Sequence, residues 1–299
     1  MKSFIQSPLL ALLLAGICHA DAQTTQSIAV NNWFAINNKT GNTAYVQDGT
    51  TSSPIFKQVD GDASLFVFSY FDSQATLNDG ESLSLTFDLT LALSEEGGTK
   101  TFDLVSYGLY KSVDLKASPS YSNIGADRTA TTSQLSPFIN GWGGFLIHKP
   151  SAQSHHHLRA YQKTPGASYN FASVSGTEPT YYSIPNTGSY KLDFTDGVAR
   201  TFTLTYNRVG NDLHISGQLK DGQSFNTVYK DAFLQEGSNL FDAFGFYIAQ
   251  GSANGPVIVE AAFSNLELIH VIPEPGSTAL LLGAGGLLWI RRRSRMSPK

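Results

Sequence analysis

Leu83, Leu85, Phe87, Leu89 and Leu91 alternate with Ser82, Ser84, Thr86, Asp88 and Thr90. An apolar residue at every second position excludes an amphipathic helix, whose apolar stripe recurs every 3.6 residues. It requires a strand with one dry face and one wet face. Phe202, Leu204 and Tyr206 alternate with Thr201, Thr203 and Thr205 in the same way. The turn signal Val209-Gly210-Asn211-Asp212 follows, and Leu213, Ile215, Gly217 and Leu219 then resume the alternation, which predicts a hairpin. A second turn, Lys220-Asp221-Gly222, leads into a strand over residues 224–229. Phe244, Phe246 and Ile248, then residues 257–263 and 266–268, supply the closing strands. Residues 65–70 are apolar at successive positions, as in a strand covered on both faces. No comparable stretch has a period of 3.6. The expectation is an all-β, antiparallel jelly-roll β-sandwich.

Both ends depart from this pattern. Lys2 precedes an apolar stretch at residues 9–17, and Ala20-Asp21-Ala22 offers a small-x-small cleavage pattern before Gln23. Residues 1–22 therefore read as a secretory signal peptide. Ile17 stands where a lipoprotein would need a small residue before Cys18, which argues against a lipid anchor. Cys18 is the single cysteine of the chain and leaves with the signal peptide, so the mature domain has neither a disulfide nor a Cys-based zinc site.

At the other end, Pro273-Glu274-Pro275 is followed by an apolar run at 277–290 and then by Arg291, Arg292, Arg293 and Arg295. The two prolines prevent helix or sheet hydrogen bonding and leave a segment that a protease can grip. As a helix the run would reach about 21 Å, against a hydrocarbon core of about 30 Å. Gly283, Gly285 and Gly286 would weaken that helix in water, Trp289 suits a membrane interface, and the arginines form a stop-transfer block. This is a short transmembrane helix, suited to being held briefly and cut away. Positive charge stays on the cytoplasmic side, so the large domain faces outward. The organisation is 1–22 signal peptide, 23–270 β-sandwich domain and 271–299 sorting segment. Residues 23–290 carry 14 Lys plus Arg against 23 Asp plus Glu, a balance of −9 that does not attract nucleic acid.

The order of triplet, apolar run and arginine cluster resembles the PEP-CTERM sorting signal of Gram-negative bacteria. That resemblance implies that a membrane-embedded exosortase recognises and processes the tail after the secretion machinery has exported the chain. Delivery is then to the cell surface or extracellular matrix. The stretches LFVFSYFDSQATLNDGESLSLTFDLTLAL, FDLVSYGLY and GWGGF are similar to exported domains that precede such tails. Those domains are concanavalin A-like or LamG-like, which implies a lectin- or glucanase-type sandwich.

A glucanase of that kind needs two carboxylates about 5–5.5 Å apart for retaining hydrolysis. The resemblance implies that one strand would supply them as E-x-D-x-x-E, and no such segment exists here. Glu95-Glu96 are adjacent and precede Gly97-Gly98, in a loop. The chain is therefore not expected to be an enzyme. His155-His156-His157 lies in a polar stretch without the spacing of a metal site, and a solvated loop accounts for it. Asp60-Gly61-Asp62 reads first as a turn. Asp60 and Asp62 are also candidate oxygen ligands of a structural calcium ion, as are Asp193 and Asp196.

Carbohydrate binding is the alternative to a purely structural surface role. Sugar rings stack on aromatic platforms, and Trp142, within Gly141-Trp142-Gly143-Gly144, serves as one if it stands exposed on a loop. Tyr161, Tyr181 and Tyr182 are further candidates. Packed over the sandwich edge, Trp142 is a structural residue instead. The partners expected on these grounds are the exosortase, the membrane through the uncut tail, and extracellular polysaccharide.

Overall fold

The computed structural model describes residues 23–37, 44–62, 64–102, 104–112, 129–131, 142–149, 159–163, 192–219, 223–229, 232–233, 238–249 and 256–273. The chain divides into a large compact unit, Ser27–His270, and a second made of Met1–Gln26 with Val271–Lys299. Residues 1–22 and 274–299 lie outside the described residues. The signal peptide, the apolar run, Glu274, Pro275 and the four arginines fall there. Among the described residues no helix is long and apolar enough to cross a membrane.

One sheet runs in the order β15 (Gln223–Tyr229), β14 (Asp212–Leu219), β13 (Arg200–Val209), β6 (Ser82–Leu93), β17 (Ile258–Pro273), β4 (Ile55–Asp62) and β3 (Ala44–Gln47). An eighth strand, β1 (Gln23–Ile28), pairs with β17 beside this path. The second sheet runs β11 (Arg159–Lys163), β10 (Gly143–Lys149), β8 (Leu104–Lys111), β16 (Leu240–Ala249), β5 (Ser64–Thr76), β2 (Val30–Asn37) and β9 (Thr129–Thr131). A two-stranded ribbon joins β12 (Leu192–Thr195) to β7 (Thr99–Phe102).

The chain crosses between the sheets at β4, β5 and β6, with β4 in the first, β5 in the second and β6 in the first again. The pairs with a defined register are antiparallel except β2 with β9. The fold is therefore an all-β, antiparallel sandwich of jelly-roll type.

The alternation in the sequence becomes the burial pattern. Leu83, Leu85, Phe87, Leu89 and Leu91 are fully buried, while the residues between them are partly exposed. Residues 65–70 lie in β5, which sits between β16 and β2, and Leu65 through Ser69 are buried on both faces. The predicted hairpin is β13–β14, with Val209 opposite Asp212. Its two-residue loop places Gly210 first, with φ 62°, the left-handed geometry that a type II′ turn assigns to glycine. The predicted third strand is β15, paired with β14, while Lys220-Asp221-Gly222 lies outside the described residues.

Between the sheets the core is aromatic. Phe87 stacks on Phe202 at 5.0 Å and meets Phe244 and Phe246 of the opposite sheet edge-on. Trp33 packs against Phe56 and Phe244, and its indole N–H donates to the carbonyls of Val30 and Thr51. That hydrogen bonding lets an indole sit in a dry layer. Burying one such side chain stabilises by about 1.5–3 kcal/mol. Tyr206 crosses the sandwich: from β13 its hydroxyl donates to the Phe145 carbonyl of β10 and accepts from the Leu109 N–H of β8. Burial raises its pKa and the Leu109 bond opposes that, so the phenol stays a neutral cross-sheet link.

One expectation is revised in detail. Residues 258–263 and 266–268 are not separate strands but parts of β17, and Val257 precedes it. Phe263 and Leu268 are buried, so the buried positions change parity between them. Asn265 sits at the change with φ 50°, in the left-handed region that asparagine tolerates better than most residues.

Candidate functional site

Trp142 enters β10, and the strand register shows what surrounds it. On the face of the seven-stranded sheet turned away from the core, one cross-strand row runs Asn32, Tyr70, Ala243, Tyr110 and Gly144. The next runs Phe34, Phe68, Gly245, Gly108 and Leu146. Small residues in both rows leave room for large rings. The Trp142 ring packs edge-on to Phe68 and Tyr70, at 5.5 and 5.8 Å, and tilted over Tyr110 at 5.8 Å.

Trp142 is thus fully buried and presents no open ring to a sugar. Of the two alternatives for this residue, the packed one is found, in a second aromatic layer outside the main core. Gly144 is required beside it: a Cβ there would lie 2.4 Å from the Leu109 carbonyl and 2.9 Å from the Tyr110 ring. Tyr161 lies in β11 opposite Leu146, in the same row as Phe34 and Phe68; its side chain is outside the described residues, as are Tyr181, Tyr182 and the His155–His157 run.

The described acids are mostly engaged in structure. Glu81 is buried at the turn before β6, where its carboxylate accepts from the Asn78 N–H at 2.8 Å and the Asn78 side-chain amide at 3.0 Å. Its Oε2 also lies 2.9 Å from Nε2 of buried His270, the last inward residue of β17. Burial pushes the carboxyl up, and the bonds from Asn78 and His270 outweigh it, so its pKa is lower than usual. Asp196 accepts from the Leu93 and Gly97 N–H groups, and Asp193 offers its carbonyl to Arg200. These two aspartates close turns. Asp242 accepts from the Ser112 N–H, and burial raises its pKa despite that bond and the nearby Lys111 charge. Glu95 and Glu96 are both exposed on the turn that ends at Gly98.

Asp60 and Asp62 lie in β4, where the register with β17 jumps from Asp62–Ile258 to Lys57–Glu260. Their side chains are outside the described residues. Among the described residues no group of three or more His, Cys, Asp or Glu side chains comes together. Pro273 ends β17.

The wet face of the eight-stranded sheet has a character of its own. One row sets Ser84 beside Thr205 and Ser216, and the next sets Thr86 beside Thr203 and Gln218. The Ser84 and Thr205 hydroxyls lie 3.1 Å apart, and the Thr203 hydroxyl accepts from the Gln218 N–H at 2.7 Å. Asp88, opposite Thr201, has one oxygen bound by the Thr201 hydroxyl and the other by the Asn265 amide. The alternation in the sequence could have disclosed this face, because most outward residues of β6 and β13 are hydroxyls. The Glu81–His270 pair had only a weak local signal, the Asn78-x-x-Glu81 spacing of a self-closing turn.

No family model and no curated protein matches the chain. Among solved structures, it is similar to the Emp46p carbohydrate recognition domain in its metal-free form, at 13% identity over 78% of this chain and 87% of that one, with a TM-score of 0.39. It is similar to the basic winged bean lectin with Tn-antigen at 10% identity, over 85% of this chain and 100% of that one, with a TM-score of 0.41. The Emp47p carbohydrate recognition domain gives 12% identity, 85% and 98% coverage and a TM-score of 0.43. Scores this low leave the fold assignment to the strand pairing itself.

Proposed function

We propose that the chain is an exported, non-catalytic surface protein whose C-terminal segment is recognised and cut by a membrane-embedded exosortase. What supports this reading is the pair of terminal signals in the sequence, the small-x-small pattern Ala20-Asp21-Ala22 after an apolar stretch and the ordered Pro-Glu-Pro triplet, apolar run and arginine cluster. Exosortase cleavage would remove Arg291, Arg292, Arg293 and Arg295 and release the domain from the membrane. Intact-mass analysis of protein from the surface of a strain with an active exosortase is expected to show loss of residues 1–22 and of the arginine cluster. Surface protein that retains the cluster would sink the proposal.

The second reading is that the delivered sandwich is a carbohydrate-binding module for extracellular polysaccharide. It is favoured by the hydroxyl and amide rows on the wet face of the eight-stranded sheet, where Asp88 already has both oxygens bound. A calcium ion held by Asp60 and Asp62 at the irregular part of β4 belongs to the same proposal, as a brace on the fold.

A further inference from the structure

We propose that the outward face over β6, β13 and β14 is the platform on which a neutral polysaccharide chain lies; this rests on the carbohydrate-binding reading above. Neighbouring strands stand about 4.8 Å apart and outward residues along a strand about 6.7 Å apart, so the two central rows form a regular lattice of donors and acceptors. Three features select the occupant. First, the central rows Ser84–Thr205–Ser216 and Thr86–Thr203–Gln218 carry no charge. The adjacent Asp88 has both oxygens bound, while residues 23–290 carry a balance of −9. An acidic polymer meets repulsion from the molecule as a whole and finds no cation in these rows, whereas a neutral polymer pays neither cost. Second, the face offers no apolar centre for a protein partner: among the described residues the exposed large hydrophobics are Val198 and Val209, both beside turns. Third, the threonines are stiff at χ1 and several hydroxyls are already oriented by bonds within the sheet, so little freedom is lost on contact.

Exchanging a water bond for a sugar bond is nearly balanced at each hydroxyl. Such a face therefore holds only a partner that engages many positions at once, which means a polymer and not a short sugar.

The test is affinity electrophoresis of the full chain in gels containing laminarin, dextran or galactomannan, with alginate as the acidic comparison. The variant pair Thr86→Glu with Ser216→Glu places two charges on the platform at residues that take no part in the Ser84–Thr205 and Thr203–Gln218 bonds. Wild type should be retarded by at least one neutral polymer, and the variant should bind at least tenfold more weakly with an unchanged melting midpoint. A hexasaccharide of the same sugar should not compete. If the glutamates prevent folding, Thr86→Val with Ser216→Ala removes the hydroxyls with little change of shape and should also weaken retention. Undiminished retention of a folded variant would move binding to another face and leave the carbohydrate-binding reading standing. Absence of retention by all three neutral polymers overturns both. Stronger retention by alginate, or full competition by the hexasaccharide, overturns the neutral-polymer platform.

Discussion

Glu81 and His270 are 189 positions apart in the chain and 2.9 Å apart in the fold. Both are buried, and His270 precedes Pro273 by three positions, so this contact is the last inward fastening of β17 before the Pro-Glu-Pro triplet. A carboxylate with a lowered pKa stabilises the fold above its unfolded value, here 4.5, and that contribution is lost as pH falls through the lower folded value. Glu81→Gln keeps the shape and removes the titration. Its melting midpoint should lie below that of wild type at pH 7, by an amount corresponding to about 1–3 kcal/mol, and the gap should close on acidification below pH 4. A gap that stays constant from pH 7 to pH 3 would rule out a folded-state carboxylate at this site. Asp242 should act in the opposite sense: its raised pKa means that the buried charge costs stability as pH rises through the folded value. Neither effect was legible in the sequence. A pair formed by distant segments leaves no spacing to read; Asp196 is the same case, since the Leu93 and Gly97 N–H groups it accepts from are about a hundred positions away.

At the scale of elements, period-two patterning carried most of the information. β6, β13, β14 and β15 fall where alternation placed them, because every inward position in a two-sheet sandwich faces the same dry layer. The pattern misled only where the backbone changes phase. In β17 the change of parity around Asn265, whose φ is 50°, turns one strand into two apparent runs, since the later inward side chains fall on even instead of odd positions. The second aromatic layer was equally hidden. Trp142 between glycines reads either as an exposed loop ring or as a packed one, and the space left by Gly144, Ala243 and Gly245 on two strands is what receives such rings, a matter of strand order that is not written locally. Gly144→Ala tests this layer. The added methyl would meet the Leu109 carbonyl and the Tyr110 backbone, which cannot move aside as a flexible side chain can. A loss of about 1–3 kcal/mol is expected, read as a lower denaturation midpoint with blue-shifted tryptophan emission lost. A variant as stable as wild type would show that Tyr110 and Trp142 do not pack closely over β10.

The whole molecule has no covalent brace, because its single cysteine, Cys18, lies in the segment assigned to the signal peptide. Stability rests on the inter-sheet aromatic core, the Tyr206 link between sheets, and any ion bound at Asp60 and Asp62. A site at 100 times its Kd in calcium adds about 2.7 kcal/mol. Chelation is therefore expected to lower the melting midpoint by several degrees, with recovery on adding calcium. An unchanged midpoint would return Asp60-Gly61-Asp62 to turn chemistry alone. By itself the sequence determined the strand class and the wet and dry faces, because these follow from periodicity and turn residues within a few neighbouring residues. Only the tertiary structure decided that Trp142 is buried, that Glu81 meets His270, and that β6, β13 and β14 lie side by side to merge their hydroxyls into one face. Those facts depend on which strands become neighbours, a choice made by the packing of the two sheets and not by any one segment.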